Sequence, residues 1–185
     1  MPAHERTTRA AIIAAGLEVL EERGLPGLTM HEVAQRVGVR APSLYKRVRD
    51  RDDLIDLVVA ATLEDLTGRL EAAAPEADPR RRLVLLAATV RQFAREHPAG
   101  YSLIFASAEG TRRADLTAVA RSVGPVLDTV TLLVGEEQSL DAARLLTAWS
   151  DGFIRMELSG AFRMGGDVDR AWNWGIERIV AALTP

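Results

Sequence analysis

The chain has 185 residues, of which 48% are hydrophobic and 26% charged, with a formal net charge of −3 and no cysteine. This is the composition of a globular protein of one compact domain or two small ones, and it excludes disulfides, thiolate metal sites and cysteine nucleophiles. No run of about twenty apolar residues is present, so no membrane span is expected. The polar start from Met1 to Arg9 lacks the apolar stretch of a signal peptide, so a cytoplasmic protein is expected.

Apolar residues recur at intervals of three and four and nowhere alternate over several residues, so the pattern predicts an all-α chain of about nine helices. Helix 1 is expected from Thr7 to Arg23, with Ile13, Leu17 and Leu20 on one face, ended by Gly24 and a turn at Pro26 and Gly27. Thr29 and Glu32 have capping-box spacing, in which each side chain satisfies a free backbone N–H. Helix 2 then covers Met30 to Val37, with Val33, Ala34 and Val37 inward, and Gly38 makes a tight turn into helix 3 at Ala41 to Val48. Pro42 sits in the first turn of helix 3, where a missing N–H costs little. Helix 4 runs from Asp52 to Ala73, with Leu54, Val58, Ala61 or Thr62, and Leu66 inward, and residues 72–79 form a linker with two prolines. Helix 5 opens at Asp78 and Pro79 and carries Leu83, Leu86, Val90 and Phe93. Helix 6 covers Ala99 to Ala106, helix 7 Arg112 to Val134 with a bend near Gly124 and Pro125, and helix 8 Leu140 to Arg163. Asp167 caps helix 9, Val168 to Leu183.

The segment Thr29–Val48 reads as a helix-turn-helix. An α-helix fits the major groove, and residues near its N-terminus reach base edges. Leu44 should pack against Val33 and Val37, leaving Ala41, Ser43, Tyr45, Lys46 and Arg47 outward. Between residues 36 and 51 six cations (Arg36, Arg40, Lys46, Arg47, Arg49, Arg51) face one acid, Asp50. Such a patch suits phosphates even when the net charge is negative, although a charge run alone is more often a solvated face.

The runs Gly24-Leu25-Pro26-Gly27-Leu28-Thr29, Val33-Ala34-Gln35-Arg36-Val37-Gly38-Val39, Pro42-Ser43-Leu44-Tyr45 and Asp53-Leu54-Ile55-Asp56 resemble the TetR/AcrR family of regulators, across roughly Thr7 to Val59. The resemblance implies an N-terminal three-helix DNA-binding domain at 1–52 and a C-terminal helical domain at 53–185 for ligand binding and dimerisation. It places Thr29 and Tyr45 at phosphates, Lys46 at a phosphate or a base, His31 at a base, and Ala41, Pro42 and Ser43 at base edges. Where the family often has His, this chain has Arg47, which keeps a donor. Where the family often has a capping Ser or Thr, it has Arg40, which cannot cap and is assigned to DNA instead. Arg51 completes the DNA set, and Arg6 and Arg9 are further backbone candidates. The partner is then double-stranded DNA, an operator read as an imperfect palindrome by a dimer.

Eight of the nine aromatic residues lie beyond residue 90. Trp149, Phe153, Met156 and Gly160 share one face of helix 8, a pattern that usually means core. The segment from Trp149 to Phe162, with Trp172 and Gly175, resembles a WHG-type C-terminal domain, with Trp149 and Gly152 matching and Asp151 in place of the signature His. Asp151 and Arg155 also have the spacing of an i,i+4 ion pair. The resemblance implies a homodimer through helices 8 and 9, close approach at Ala148, Gly152, Ser159, Gly160 and Gly175, and an apolar seam of Val168, Trp172, Ile176, Ile179 and Leu183. A pocket for a small apolar or aromatic effector is expected, lined by Phe93, Tyr101, Phe105, Trp149 and Phe153, with Thr62, Thr89, Gln92 and Asp151 as polar contacts.

Two other readings compete. An enzyme on a helical bundle is disfavoured, because His4, His31 and His97 form no Glu-x-x-His pair and no phosphate-binding loop or dinucleotide fingerprint occurs. No catalytic residue, metal or cofactor is expected. A dimeric DNA-binding regulator without an effector is equally compatible with the residues.

Overall fold

The computed structural model describes residues 8–105 and 116–183, which form nine helices and no strand. They are α1 (Arg9–Gly27), α2 (Met30–Val37), α3 (Ala41–Leu44), α4 (Arg51–Ala73), α5 (Pro79–Glu96), α6 (Pro98–Phe105), α7 (Leu116–Val134), α8 (Glu136–Leu158) and α9 (Val168–Ala182). Two compact units result, one within residues 1–65 and 97–119, the other within 66–96 and 120–185.

The first unit is built on α1, which Thr8 caps by accepting from Ala11 N at 3.1 Å. Its buried side is Ile12, Ala15, Gly16, Val19 and Leu20. Ile13 and Leu17, expected inward, are half-buried, so the packed face is turned by about one residue from the expected one. Gly24, at φ 66°, interrupts the helix, and one further turn carries the chain through Pro26 to Gly27. At Gly16 a β-carbon would meet Val58 Cγ2 at 2.8 Å, so α1 lies close against α4. Ile12, Val19, Leu20, Leu28, Val33, Leu44, Val48, Leu54, Val58 and Leu103 make one core. Burying such aliphatic side chains contributes about 1.5–3 kcal/mol each. Glu21 holds the start of α6 by accepting from Ala99 N (3.0 Å) and Gly100 N (2.8 Å).

In the second unit α5 packs on both α8 and α9, and α8 on α9. Leu83, Leu86, Phe93, Val130, Leu146, Ile154, Trp172 and Ile176 fill the interior. α7 passes through Gly124 and Pro125 as one helix; the expected start of helix 7 at residues 112–115 lies outside the described residues. α8 begins four residues earlier than expected, because Gly135 at φ 79° ends α7 and Glu136 and Glu137 then occupy the first turn, where acids suit the helix dipole. It also ends earlier. Gly160 (φ 65°) follows the last turn, and Gly160 N and Ala161 N donate to Glu157 O (2.9 Å) and Met156 O (2.8 Å), the pattern of a Schellman stop. The expected stripe therefore splits: Trp149 and Phe153 pack inward, Met156 is exposed and Gly160 lies beyond the helix. Gly175 admits the Trp149 indole, whose Cζ2 would lie 2.3 Å from an added β-carbon. The expected seam of α9 is in large part internal. Trp172 and Ile176 are buried within the chain's own fold, and Val168, Ile179 and Leu183 are half-buried.

Candidate nucleic-acid interface

Thr29 caps α2 in extended conformation (φ −122°, ψ 156°), its hydroxyl accepting from Glu32 N at 3.2 Å. The expected capping box is not reciprocal, because the Glu32 carboxylate pairs with Arg23 of α1. At the other end Gly38, at φ 76°, takes the left-handed conformation that any side chain would strain. Its N–H reaches Gln35 O (3.1 Å), and Val39 N reaches Ala34 O (3.0 Å). The chain leaves that turn directly into α3.

α3 is shorter than the sequence suggests. It covers Ala41–Leu44, and residues 45–47 continue as a turn in which Arg47 N and Val48 N both donate to Leu44 O (2.8 and 2.9 Å). Leu44 and Val48 are fully buried and anchor the segment, while Tyr45, Lys46 and Arg47 are exposed, Tyr45 by 55%. Arg40 precedes the helix with no side-chain cap, Pro42 is exposed, and Ala41 and Ser43 are half-buried.

The six cations of the basic patch divide into two sets. Arg36 is bound to α1: it donates to Glu18 (3.0 Å) and to both oxygens of Glu22 (2.9 Å to one). Its hydrogen bond to Glu22, then that to Glu18, raises its pKa, and the Arg36 guanidinium in turn holds the Glu22 carboxyl below its usual value. Arg49 pairs with Asp53, and Asp53 also accepts from Arg49 N at 2.9 Å. Arg51, an expected DNA contact, is turned inward: Nε donates to Leu28 O (2.8 Å) and a terminal nitrogen to Leu25 O (2.7 Å). These carbonyls follow the Gly24 kink, where Leu25 O also accepts from Leu28 N at 3.2 Å, so Arg51 fastens the α1–α2 connection to the start of α4, a structural task rather than a phosphate contact. The side chains of Arg40, Lys46 and Arg47 have no polar partner among the described residues. His31 is exposed on α2, its Nε2 accepting from Gln35 Nε2 at 2.9 Å. Arg9 opens α1 exposed, and Arg6 lies outside the described residues.

The nine expected effector contacts fall in both units. Thr62 and Tyr101 belong to the first, both buried. Thr89, Gln92, Phe93, Trp149, Asp151 and Phe153 belong to the second, and the Phe105 side chain lies outside the described residues. The polar members bond within their own helices: Thr62 to Val58 O (2.8 Å), Thr89 to Leu85 O (2.8 Å), Gln92 to Glu96 (2.8 Å) and Asp151 to Arg155 (2.8 Å). Phe93 has the Arg69 guanidinium 5.3 Å from its ring centre. Trp149 and Phe153 do meet, at 5.5 Å between centroids, with Trp172 against both at 5.0 and 5.2 Å.

Sequence reasoning missed the group beside this cluster. Arg91, 6% exposed, donates to Glu157 at 2.8 and 2.7 Å and approaches Asp169 at 2.7 Å, with its guanidinium 5.0 Å from the Trp172 ring and 5.6 Å from Phe153. Burial works against its charge, but Glu157 and Asp169 more than offset this and raise its pKa. The signal was present: Arg91 interrupts the buried stripe Leu83, Ala87, Ala94 at helical spacing. Among the described residues no cluster of His, Asp or Glu could hold a metal ion, and no helix is long and apolar enough to cross a membrane.

Residues 12–58 match the family model described as bacterial regulatory proteins, tetR family, and residues 83–179 match the one described as tetracyclin repressor-like, C-terminal domain. An uncharacterized HTH-type transcriptional regulator of Mycobacterium tuberculosis, Rv0681, is 27% identical over 96% of this chain and 82% of its own length. The tetracycline repressor protein class D of Escherichia coli is 38% identical over 58 residues, 31% of this chain and 27% of that protein. Among solved structures, a protein of unknown function from Rhodococcus sp. RHA1 superposes with a TM-score of 0.84 at 24% identity, covering 96% of this chain and 95% of that one. A single-substitution variant of TetR from Acinetobacter baumannii AYE, in complex with minocycline, gives 0.69 at 23% identity, with 95% and 96% covered. Matched at both its helix-turn-helix and its C-terminal helices, this chain belongs to the TetR family of DNA-binding transcriptional regulators.

Proposed function

We propose that the chain is a repressor which binds an imperfectly palindromic operator as a homodimer, in the cytoplasm, and leaves it when a small apolar or aromatic effector binds. The observation that carries DNA reading is the bare cationic segment. Lys46 and Arg47, next to exposed Tyr45, stand on a turn anchored by buried Leu44 and Val48, while neighbouring arginines are engaged in internal bonds. In this assignment Arg40, Arg47, Thr29 and Tyr45 hold phosphates and so fix position, and Lys46 holds a phosphate or a base. His31, Ala41, Pro42 and Ser43 face base edges and select sequence. Residues 1–52 are the reading domain, and 53–185 serve assembly and sensing.

One short helix reads few bases, so a symmetric dimer is needed. For its interface helices 8 and 9 remain the best candidates, with a changed seam. Leu145, Ala148, Gly152 and Met156 share an exposed face of α8, Gly152 has open space around its Cα, and Trp174 is 62% exposed on α9. Large exposed apolar groups bordering small residues favour burial against a second copy.

A second reading, a dimeric DNA-binding regulator without an effector, is favoured by the expected pocket's polar groups being satisfied within their own helices. Selection of bound DNA from a random pool, followed by a compound screen for release, separates the two. Enrichment of a two-fold symmetric site with release by some compounds supports the repressor; enrichment without release supports the second reading; no enrichment at fixed low salt removes both.

A further inference from the structure

From an open groove in the second unit, we infer a binding site for a medium-chain carboxylate, an alkyl tail ending in one negative charge. The groove holds about 570 Å³ and is lined by Arg80, Arg81, Val84, Leu85 and Ala88 of α5 and Glu177, Val180 and Ala181 of α9. α9 runs antiparallel to α5, because Arg91 late in α5 meets Asp169 in the first turn of α9. The lining of α5 from Arg80 to Ala88 spans about 12 Å at 1.5 Å per residue. Leu85 is 44% exposed there, an apolar side chain left to water beside other aliphatic groups.

The charge at one end selects the head group. The first turn of α5 contains arginines and no acid, at the end of a helix where cations are disfavoured. Of the three, Arg82 is bound to Glu76 O at 2.6 Å and lines no part of the groove. Arg81, 79% exposed, comes only within 3.8 Å of Asp78, beyond hydrogen-bonding distance, and Arg80 has no side-chain partner among the described residues. One oxygen of Asp78 accepts from Arg80 N at 2.9 Å. Two arginines against Glu177 leave the lining positive, so it suits a monoanion and disfavours a cationic amphiphile. A guanidinium accepts a carboxylate in bidentate fashion, and the aliphatic floor receives the tail. This site stands apart from the effector pocket expected around Phe93 and Trp149 and does not depend on it.

Titration calorimetry of the intact chain with decanoate, kept below its micellar concentration, tests the site. Decanoate should bind saturably, decanol far more weakly, and each methylene removed from the acid should weaken binding by up to about fourfold, the value for full burial. Arg80→Gln with Arg81→Gln should weaken it by roughly tenfold or more, as expected for one lost charge-assisted pairing. Glu177→Gln should tighten it, and Ala88→Phe, which fills the groove, should abolish it. All four positions are exposed, and circular dichroism of each variant is the check that it folds. Absence of saturable binding, equal affinity for decanol, or an undiminished affinity in the double arginine variant would overturn the assignment. So would a self-association that Ala88→Phe disrupts, since the groove would then be covered by a second copy. Operator affinity is followed in parallel: binding of decanoate without operator keeps this site and removes the proposed function, and the converse removes only this site.

Discussion

The chain uses arginine in two opposite ways, and the contrast separates folding from recognition. In the second unit Arg91 is 6% exposed, ringed by Glu157, Asp169, Trp172 and Phe153. In the first unit the side chains of Arg40, Lys46 and Arg47 stand in water with no polar partner among the described residues, although Glu18, Glu22 and Asp53 are used by their neighbours Arg36 and Arg49. A buried charge must be paired because its desolvation costs several kcal/mol. An exposed charge left unpaired keeps its capacity for an outside anion. Pairing, rather than a tally of basic residues, is therefore what marks the cations left available to an outside anion.

The largest effect should come from the enclosed cation. Arg91→Ala leaves the largely buried Glu157 with only the longer Arg95 contact at 3.6 Å and removes the guanidinium from two aromatic faces. Urea unfolding should show a loss of about 3–5 kcal/mol. Arg91→Met combined with Glu157→Leu should recover most of that loss, because replacing both members by apolar groups leaves no uncompensated charge. A double variant as unstable as Arg91→Ala would show that packing geometry outweighs charge burial at this position.

At the open end of the comparison, Lys46→Ala should leave stability unchanged and weaken operator binding by about 1–3 kcal/mol. If Lys46 holds a phosphate, the loss is similar on every sequence and the slope of log affinity against log salt falls by about one. If it holds a base, the loss appears only on the selected site. Arg36→Ala is the matching control: it lies in the same sequence patch, but its charge is neutralised by Glu18 and Glu22, so its loss should leave the salt slope nearly intact.

How far the sequence reached follows the same division. Helix spacing and caps were legible because they are local: Thr29, Gly38 and Asp167 act where the pattern puts them, and the Asp151–Arg155 pair forms as spaced. Family resemblance supplied the reading head. Long-range uses of a side chain were not legible. Nothing near Arg51 announces that it will reach carbonyls 23 and 26 residues back, and nothing in the helix-9 seam tells whether Trp172 and Ile176 face their own chain or a second one. Arg91 left a trace, a cation within an apolar stripe, but its partners are 66 and 78 residues away.

A cap sits between the two extremes, since it serves both fold and surface. Thr29→Ala removes the acceptor for Glu32 N and should cost about 1 kcal/mol of stability in urea unfolding. If Thr29 also touches a phosphate, operator affinity measured well below the unfolding range should fall as well, and Thr29→Ser should restore both. Restoration of stability alone would confine Thr29 to capping.

The smallest expected effect concerns Asp53, where pairing is partial and depends on pH. The N–H of Arg49 is the chief cause that holds its carboxyl below the usual value of 3.8, with the Arg49 guanidinium adding to it and burial opposing. A carboxylate with a lowered folded pKa stabilises fully above its unfolded value, and that contribution drains away as pH falls through the unfolded pKa toward the folded one. Asp53→Asn should thus cost a few tenths of a kcal/mol at neutral pH, typical of a surface i,i+4 pair. The gap between wild type and variant should close as pH is taken below about 4. A gap independent of pH would assign the role of Asp53 to shape or neutral hydrogen bonding. The Arg49–Asp53 bond would then no longer explain why Arg49, unlike Lys46 and Arg47, is withheld from DNA.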